Sequence, residues 1–146
     1  MSLTVETKKR AEGGYIVKPA GRLDTTTYLE FEKKVEPFLN GGTKILVLDM
    51  AALDYLSSAG LRAIFKIQKN ILANKGVFLM TQLQPQIERV FEIVKALPKE
   101  QVFSSIEEVD AYLDIIQRRE IDKQKGLHNS RHTGYAVAAG HSLILF

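Results

Sequence analysis

Two adjacent hydroxyls, Ser57 and Ser58, sit in the stretch LDYLSSAGLRAIF between Leu53 and Phe65. An apolar run precedes them and a helical period follows. A serine at such a junction can cap the helix by accepting a bond from an otherwise unpaired backbone N–H, a contribution of roughly 1 kcal/mol. It can be a nucleophile if a base adjoins it. It can also be modified. A helix N-terminus offers partial positive charge and free N–H groups, and a phosphate there adds about two negative charges to a nearly neutral surface. The nucleophile fits poorly: no G-x-S-x-G elbow is present, and the three histidines, His128, His132 and His141, all lie near the end of the chain. Local physics leaves capping and modification open, with Gly60 permitting close backbone approach.

Other chemistry is scarce. The chain of 146 residues has no cysteine, which excludes disulfides, thiolate catalysis and zinc–thiolate sites. A reducing, cytoplasmic setting fits. No carboxylate pair or metal-ligand cluster stands at usable spacing. Gly41-Gly42 lacks the Lys-Ser/Thr of a phosphate-binding loop. No catalytic residue, metal or cofactor is therefore assigned, and an enzyme is not expected. Net charge is +3, and Lys8-Lys9-Arg10 is followed at once by Glu12, so a basic face for nucleic acid is not expected either. Met1 to Arg10 is polar, unlike a secretory leader. No run approaches the roughly 20 apolar residues needed to cross a bilayer.

The serines must be held by elements that the patterning supplies. SLTVETKKR alternates as a half-buried strand, Gly13-Gly14 turns the chain, and YIVKPAGRLD returns it, with Pro19 better suited to an edge or a strand end. From Thr25 the period becomes helical: Tyr28, Leu29, Phe31, Val35, Phe38 and Leu39 form one face, with Asp24 or Thr25 as cap and Pro37 near the end. The unbroken run Ile45 to Leu48 reads as a central strand buried on both faces. A helix follows the serines and stops at Asn74-Lys75-Gly76. VFLMTQL is a strand, QPQIERVFEIVKAL a helix with Pro85 in its first turn, QVFSSI a short edge strand. A final amphipathic helix opens with a Ser105-to-Glu108 capping box. The order β-β-α-β-α-β-α-β-α predicts an α/β fold: an N-terminal hairpin, then mainly parallel strands, in one sheet with about four helices.

In that frame, GRLDTTTYLEFE, ILVLDMAALDYLSSAGLRAI and KGVFLMTQLQPQIERVFEIVKA together resemble a STAS domain of the bacterial anti-sigma factor antagonist family, over roughly residues 3 to 117. The resemblance implies partner switching. The unmodified antagonist binds an anti-sigma factor that is also a serine kinase, freeing the sigma factor for transcription. The kinase phosphorylates a serine at the start of the second helix and is released, and a PP2C-type phosphatase reverses the mark. Aligned on Gly60, that serine is Ser58, with Ser57 the second choice. Where many members read Asp-Ser-Ser/Thr-Gly, this chain reads Ser57-Ser58-Ala59-Gly60, as in the branch Y-[IL]-S-S-A-G. Asp24 matches an acidic family position near the switch. With Asp54, Ser57, Ser58, Ala59, Gly60 and Arg62 it forms the expected partner face, and Arg62, one turn beyond Ser58, could pair with the phosphate. The alternative is a STAS scaffold or sensor that is never phosphorylated and instead assembles or binds a small ligand.

Residues 1–120 are expected to form the STAS domain and 121–146 a C-terminal extension. From Gly126 onward the extension carries one charged residue, Arg131, and it ends in SLILF. It would serve as an added edge strand, as an arm for a homodimer, or as an appendage without a role in the fold.

Overall fold

The computed structural model describes residues 2–10, 13–96 and 106–126. Residues 101–105 of the expected strand QVFSSI, Ser105 of the capping box, the three histidines and the stretch from 127 to 146 lie outside these residues; Ile106, the last residue of that expected strand, opens a helix instead.

Among the described residues five strands form one mixed sheet: β1 (Leu3–Lys9), β2 (Gly14–Leu23), β3 (Ile45–Asp49), β4 (Leu53–Leu56) and β5 (Val77–Thr81). Strands β1 and β2 pair as the expected antiparallel hairpin, from Leu3↔Gly21 to Lys9↔Tyr15. The other pairings are parallel: β3 with β2, β5 with β3, and β4 with β2. Among the described residues four α-helices accompany the sheet: α1 (Tyr28–Val35), α2 (Ser58–Ala73), α3 (Pro85–Ala96) and α4 (Ile106–Gly126).

Strand β4 is not visible in the sequence pattern. It is four residues long, and its pairing with β2 jumps between Gly21↔Leu53 and Arg22↔Tyr55, a bulge that skips Asp54. One edge of β2 thus carries two short partners in succession, β3 opposite residues 14–17 and β4 opposite 21–23. Pro19 falls in the interval between them. The Gly21 N–H donates to the Ala52 carbonyl on that edge, and the strand repeat aims position 19 the same way. The missing donor of Pro19 therefore costs no ladder bond, although the residue is mid-strand rather than at an end.

The reading of β3 as buried on both faces is corrected. Leu46 and Leu48 are buried with Phe78 and Met80 of β5, whereas Ile45 and Val77 are exposed and Val47 and Leu79 half-buried. This period-2 alternation is that of a sheet covered by helices on one face. Helix α1 also starts later than expected, at Tyr28. Its N-cap residue is Thr27, and no side chain caps it. Leu29 is 61% exposed and so leaves the predicted apolar face. Pro37 ends the helix early through a 3-10 turn at Glu36–Phe38.

The core joins Leu23, Phe31, Leu46, Leu48, Leu56, Leu61, Ile64, Val90, Phe91 and Leu113, among others, so every helix contributes to it. What this arrangement positions is the carboxyl end of the paired strands β2 and β4, where Leu23 and Leu56 lie side by side and the chain enters α1 and α2.

Candidate functional site

The serine junction is built where β4 hands over to α2. Ser57 is extended, donates its N–H to the Leu23 carbonyl at 3.0 Å, and accepts the Gly60 N–H on Oγ at 3.3 Å. It is the N-cap, as capping chemistry predicts. Gly60 is required by contact rather than by backbone angle. A Cβ there would lie 2.7 Å from the Leu23 carbonyl oxygen and 2.8 Å from the side chains of Leu23 and Leu56. The absence of that carbon lets α2 press onto the ends of both strands.

Ser58 is the first residue of α2. It is 2% exposed, and its Oγ is buried with no hydrogen-bond partner among the described residues. Leaving a buried hydroxyl unpaired costs about 1–3 kcal/mol, so folding alone gives no reason for a serine here. The two hydroxyls thus separate: one is spent on the helix, the other is idle.

Asp24 stands directly after Leu23, whose carbonyl takes the Ser57 N–H. Its side chain does not cap α1. Oδ1 accepts from the Thr26 N–H at 3.0 Å and the Thr26 hydroxyl at 2.7 Å, and the Arg22 Nε lies 3.4 Å from Oδ2. The Thr27 hydroxyl donates to the Arg22 carbonyl at 2.8 Å and accepts the Asp24 N–H at 2.9 Å. Partial burial works to raise the carboxyl's pKa, but the bonds from Thr26, Arg22 and Thr27 outweigh it and hold it below its ordinary value.

The other expected site residues surround the junction. Ala59 is half-buried; Arg62 is exposed and lines a groove with Thr25, Tyr28, Glu32, Ser58 and Lys66. Asp54, on β4, is exposed. Its carboxylate accepts from Gln84 Nε2 at 3.3 Å and its carbonyl from Gln86 Nε2 at 2.9 Å.

The residues that sequence reasoning missed come from α4. Asp110 Oδ1 accepts the Ser58 N–H at 2.7 Å. Gln117, wholly buried, accepts the Leu56 N–H at 2.9 Å and donates to the Leu56 carbonyl at 2.8 Å. Asp114 accepts the Tyr55 hydroxyl at 3.1 Å and pairs with Arg118 at 2.9 Å. The Arg22 guanidinium lies 3.9 Å above the Tyr55 ring. Burial, then the neighbouring Asp114 charge and its hydrogen bond, push the Tyr55 hydroxyl up to about 12. The spacing 110, 114, 117 puts the three polar residues on one helical face. That spacing was the available signal, but it looks the same as a solvated stripe.

Among the described residues no group of three or more His, Asp or Glu side chains could hold a metal ion, and no helix is long and apolar enough to cross a membrane.

The profile of the STAS domain family matches residues 3–109. BtrV of Bordetella bronchiseptica, which carries the provisional name of anti-sigma factor antagonist, is 30% identical over 93 residues, 64% of this chain and 78% of that protein. The anti-sigma-B factor antagonist of Staphylococcus aureus is 29% identical over 93 residues, 64% of this chain and 85% of its own length. SpoIIAA of Bacillus has been solved in unphosphorylated and phosphorylated forms. Both are 14% identical to this chain, with TM-scores of 0.54 and 0.55, covering 62% and 68% of this chain and 83% and 96% of theirs. At that identity the likeness is one of fold.

Proposed function

The chain belongs to the STAS domain family, and from that premise we propose that it is an anti-sigma factor antagonist that acts by binding, without a reaction of its own, and is switched at Ser58. Unmodified, it binds an anti-sigma factor that is also a serine kinase and so relieves a sigma factor. The Ser58 Oγ then attacks the γ-phosphorus of ATP in the kinase's site. The hydroxyl proton passes to a base of the kinase, the bond to the bridging oxygen breaks, and ADP leaves. A PP2C-type phosphatase returns the hydroxyl by hydrolysis, giving inorganic phosphate.

The observation that carries this reading is the division of labour at the junction. Ser57 caps α2, while the Ser58 Oγ, at the first position of the helix, has no hydrogen-bond partner among the described residues. The names of BtrV and of the Staphylococcus antagonist support the class. SpoIIAA, of the same fold, exists in a phosphorylated form. Asp24, Asp54, Ser57, Ala59, Gly60 and Arg62 make up the proposed partner face around Ser58. In this proposal residues 1–120 are the STAS domain and 121–146 an extension. Helix α4 crosses that division, which therefore separates roles rather than secondary structure.

Release needs little. A phosphate desolvated in an interface repels partner carboxylates, and each 1.4 kcal/mol is about tenfold in affinity. The test is mass spectrometry after incubation with the anti-sigma factor kinase and ATP, which should add one phosphate at Ser58. Ser58→Asp should weaken partner binding and Ser58→Ala preserve it. No phosphate on either serine, or equal binding by both variants, would remove the proposal. The 2% exposure of Ser58 is what favours the second reading, a STAS scaffold or sensor that is never phosphorylated.

A further inference from the structure

The docked helix α4 holds the serine junction at three points. Asp110 takes the Ser58 N–H, Asp114 the Tyr55 hydroxyl, and Gln117 both backbone groups of Leu56. The first backbone donor of α2 is therefore already engaged by a carboxylate from a remote part of the chain. It is a donor that a phosphate on Ser58 would compete for, since anions collect at helix N-termini through such N–H groups. Ser58 itself is 2% exposed, and its hydroxyl has no hydrogen-bond partner among the described residues.

We propose that α4 is an internal competitor of the phosphate: Asp110 occupies the anion position at the start of α2, so that docking of α4 and phosphorylation of Ser58 exclude each other. The inference rests on Ser58 being the modified residue and adds what governs access to it. Docked, α4 fixes the start of α2 with Ser58 buried, and Asp110 holds the donor that a phosphate would use. Once phosphorylated, Ser58 confronts Asp110 and Asp114 with like charge and expels the helix. Linkage makes these one coupling seen from two ends, so a partner that draws α4 away prepares Ser58 for modification. The binding cycle then includes a change within the antagonist itself.

The chain contains no cysteine, so Ser58→Cys installs a single thiol whose reaction with an aromatic disulfide reagent reports exposure of that position. Ala63→Cys, in the same helix at a fully buried position, reports opening of the whole domain. Adding Asp110→Ala should speed labelling of the Ser58→Cys thiol by about tenfold, the loss of one charged hydrogen bond, and leave that of Ala63→Cys unchanged. In a second measurement, phosphoserine incorporated at position 58 during translation should speed amide exchange at Leu56 and along α4. The amides of Leu46 and Leu48 should stay protected, and Asp110→Asn should reduce the effect. Three results each overturn the proposal: labelling indifferent to Asp110, equal acceleration at Ala63→Cys, or α4 amides equally protected with and without the phosphate. Neither measurement uses a kinase. Failure to find phosphorylation by the kinase defeats the proposed function and leaves these outcomes standing, and the reverse also holds.

Discussion

Helix α1 begins behind a turn that closes on itself, whereas α2 begins at a junction closed by a residue 52 positions away. Both follow strands that end side by side. At α1, Asp24, Thr26 and Thr27 satisfy one another and the Arg22 carbonyl within five residues of sequence. At α2, Ser57 supplies the local bond, but the Ser58 N–H and both polar groups of Leu56 depend on Asp110 and Gln117. Local closure lasts as long as the turn does. Remote closure lasts only while α4 is docked, which makes the second helix start the one that can change state.

The sharpest way to break this contrast is Gln117→Ala. It strands a buried N–H and a buried C=O at Leu56, and leaving such groups unpaired costs about 3 kcal/mol in all. Thermal denaturation followed by circular dichroism should show the midpoint fall by about 10 °C. A fall of only a degree or two would mean that α4 is an accessory rather than part of the closure. Next comes Gly60→Ala, whose new methyl would be driven against the Leu23 carbonyl and the Leu56 side chain. Overpacking of this kind costs about 2 kcal/mol, read by urea denaturation. An unchanged urea midpoint would show that the contact of α2 with the strand ends is loose.

Smaller effects separate the two helix starts by charge. Asp110→Ala should lower stability by about 1 kcal/mol, the scale of a lost helix cap, and speed amide exchange at Ser58. Thr27→Val should cost a similar amount but leave the Ser58 amide untouched. If it disturbs Ser58 as strongly, the two starts are not independent.

The pH response sharpens the contrast further. Asp24 has a folded pKa below its ordinary 3.8. Its contribution is present above that value and disappears as pH falls through the lower, folded one. Tyr55 is raised from 10.0 to about 12. Its contribution is complete below about pH 10 and is lost as pH rises towards about 12. Asp24→Asn should flatten the acid limb of a stability–pH curve and Tyr55→Phe the alkaline limb. Tyr55→Phe should also alter exchange on α4, because the tyrosine's partner is Asp114.

What could be read from sequence follows the same division. The hairpin turn, a serine cap at the start of α2 and the helix end at Pro37 all depend on neighbours a few residues apart. Pattern and turn chemistry therefore reveal them. Strand β4 escaped because four residues interrupted by a bulge leave no period to count, and the bulge itself exists only through the register with β2. The run Ile45 to Leu48 misled because uninterrupted apolar residues resemble a doubly buried strand even when one face is only half covered. Asp110 and Gln117 were out of reach for a different reason. Their partners are backbone atoms 52 and 61 positions away, and backbone atoms leave no mark in a sequence. The idle hydroxyl of Ser58 was likewise invisible, because a serine at a helix start looks like a cap until its neighbour is seen to perform that task.

Among the described residues, strand β4 pairs with β2 along one side. Its other side is finished by two glutamines from different helices, Gln86 on the Asp54 carbonyl and Gln117 on both polar groups of Leu56. Side-chain amides carry the same donor and acceptor as a peptide unit, so the pair imitates a neighbouring strand. Unpaired strand borders invite foreign chains to add on, and proteins must blunt them. In the proposed undocking of α4 this blunting comes away: when Gln117 withdraws, Leu56 presents a free N–H and a free C=O, the start of a template on which another backbone can align.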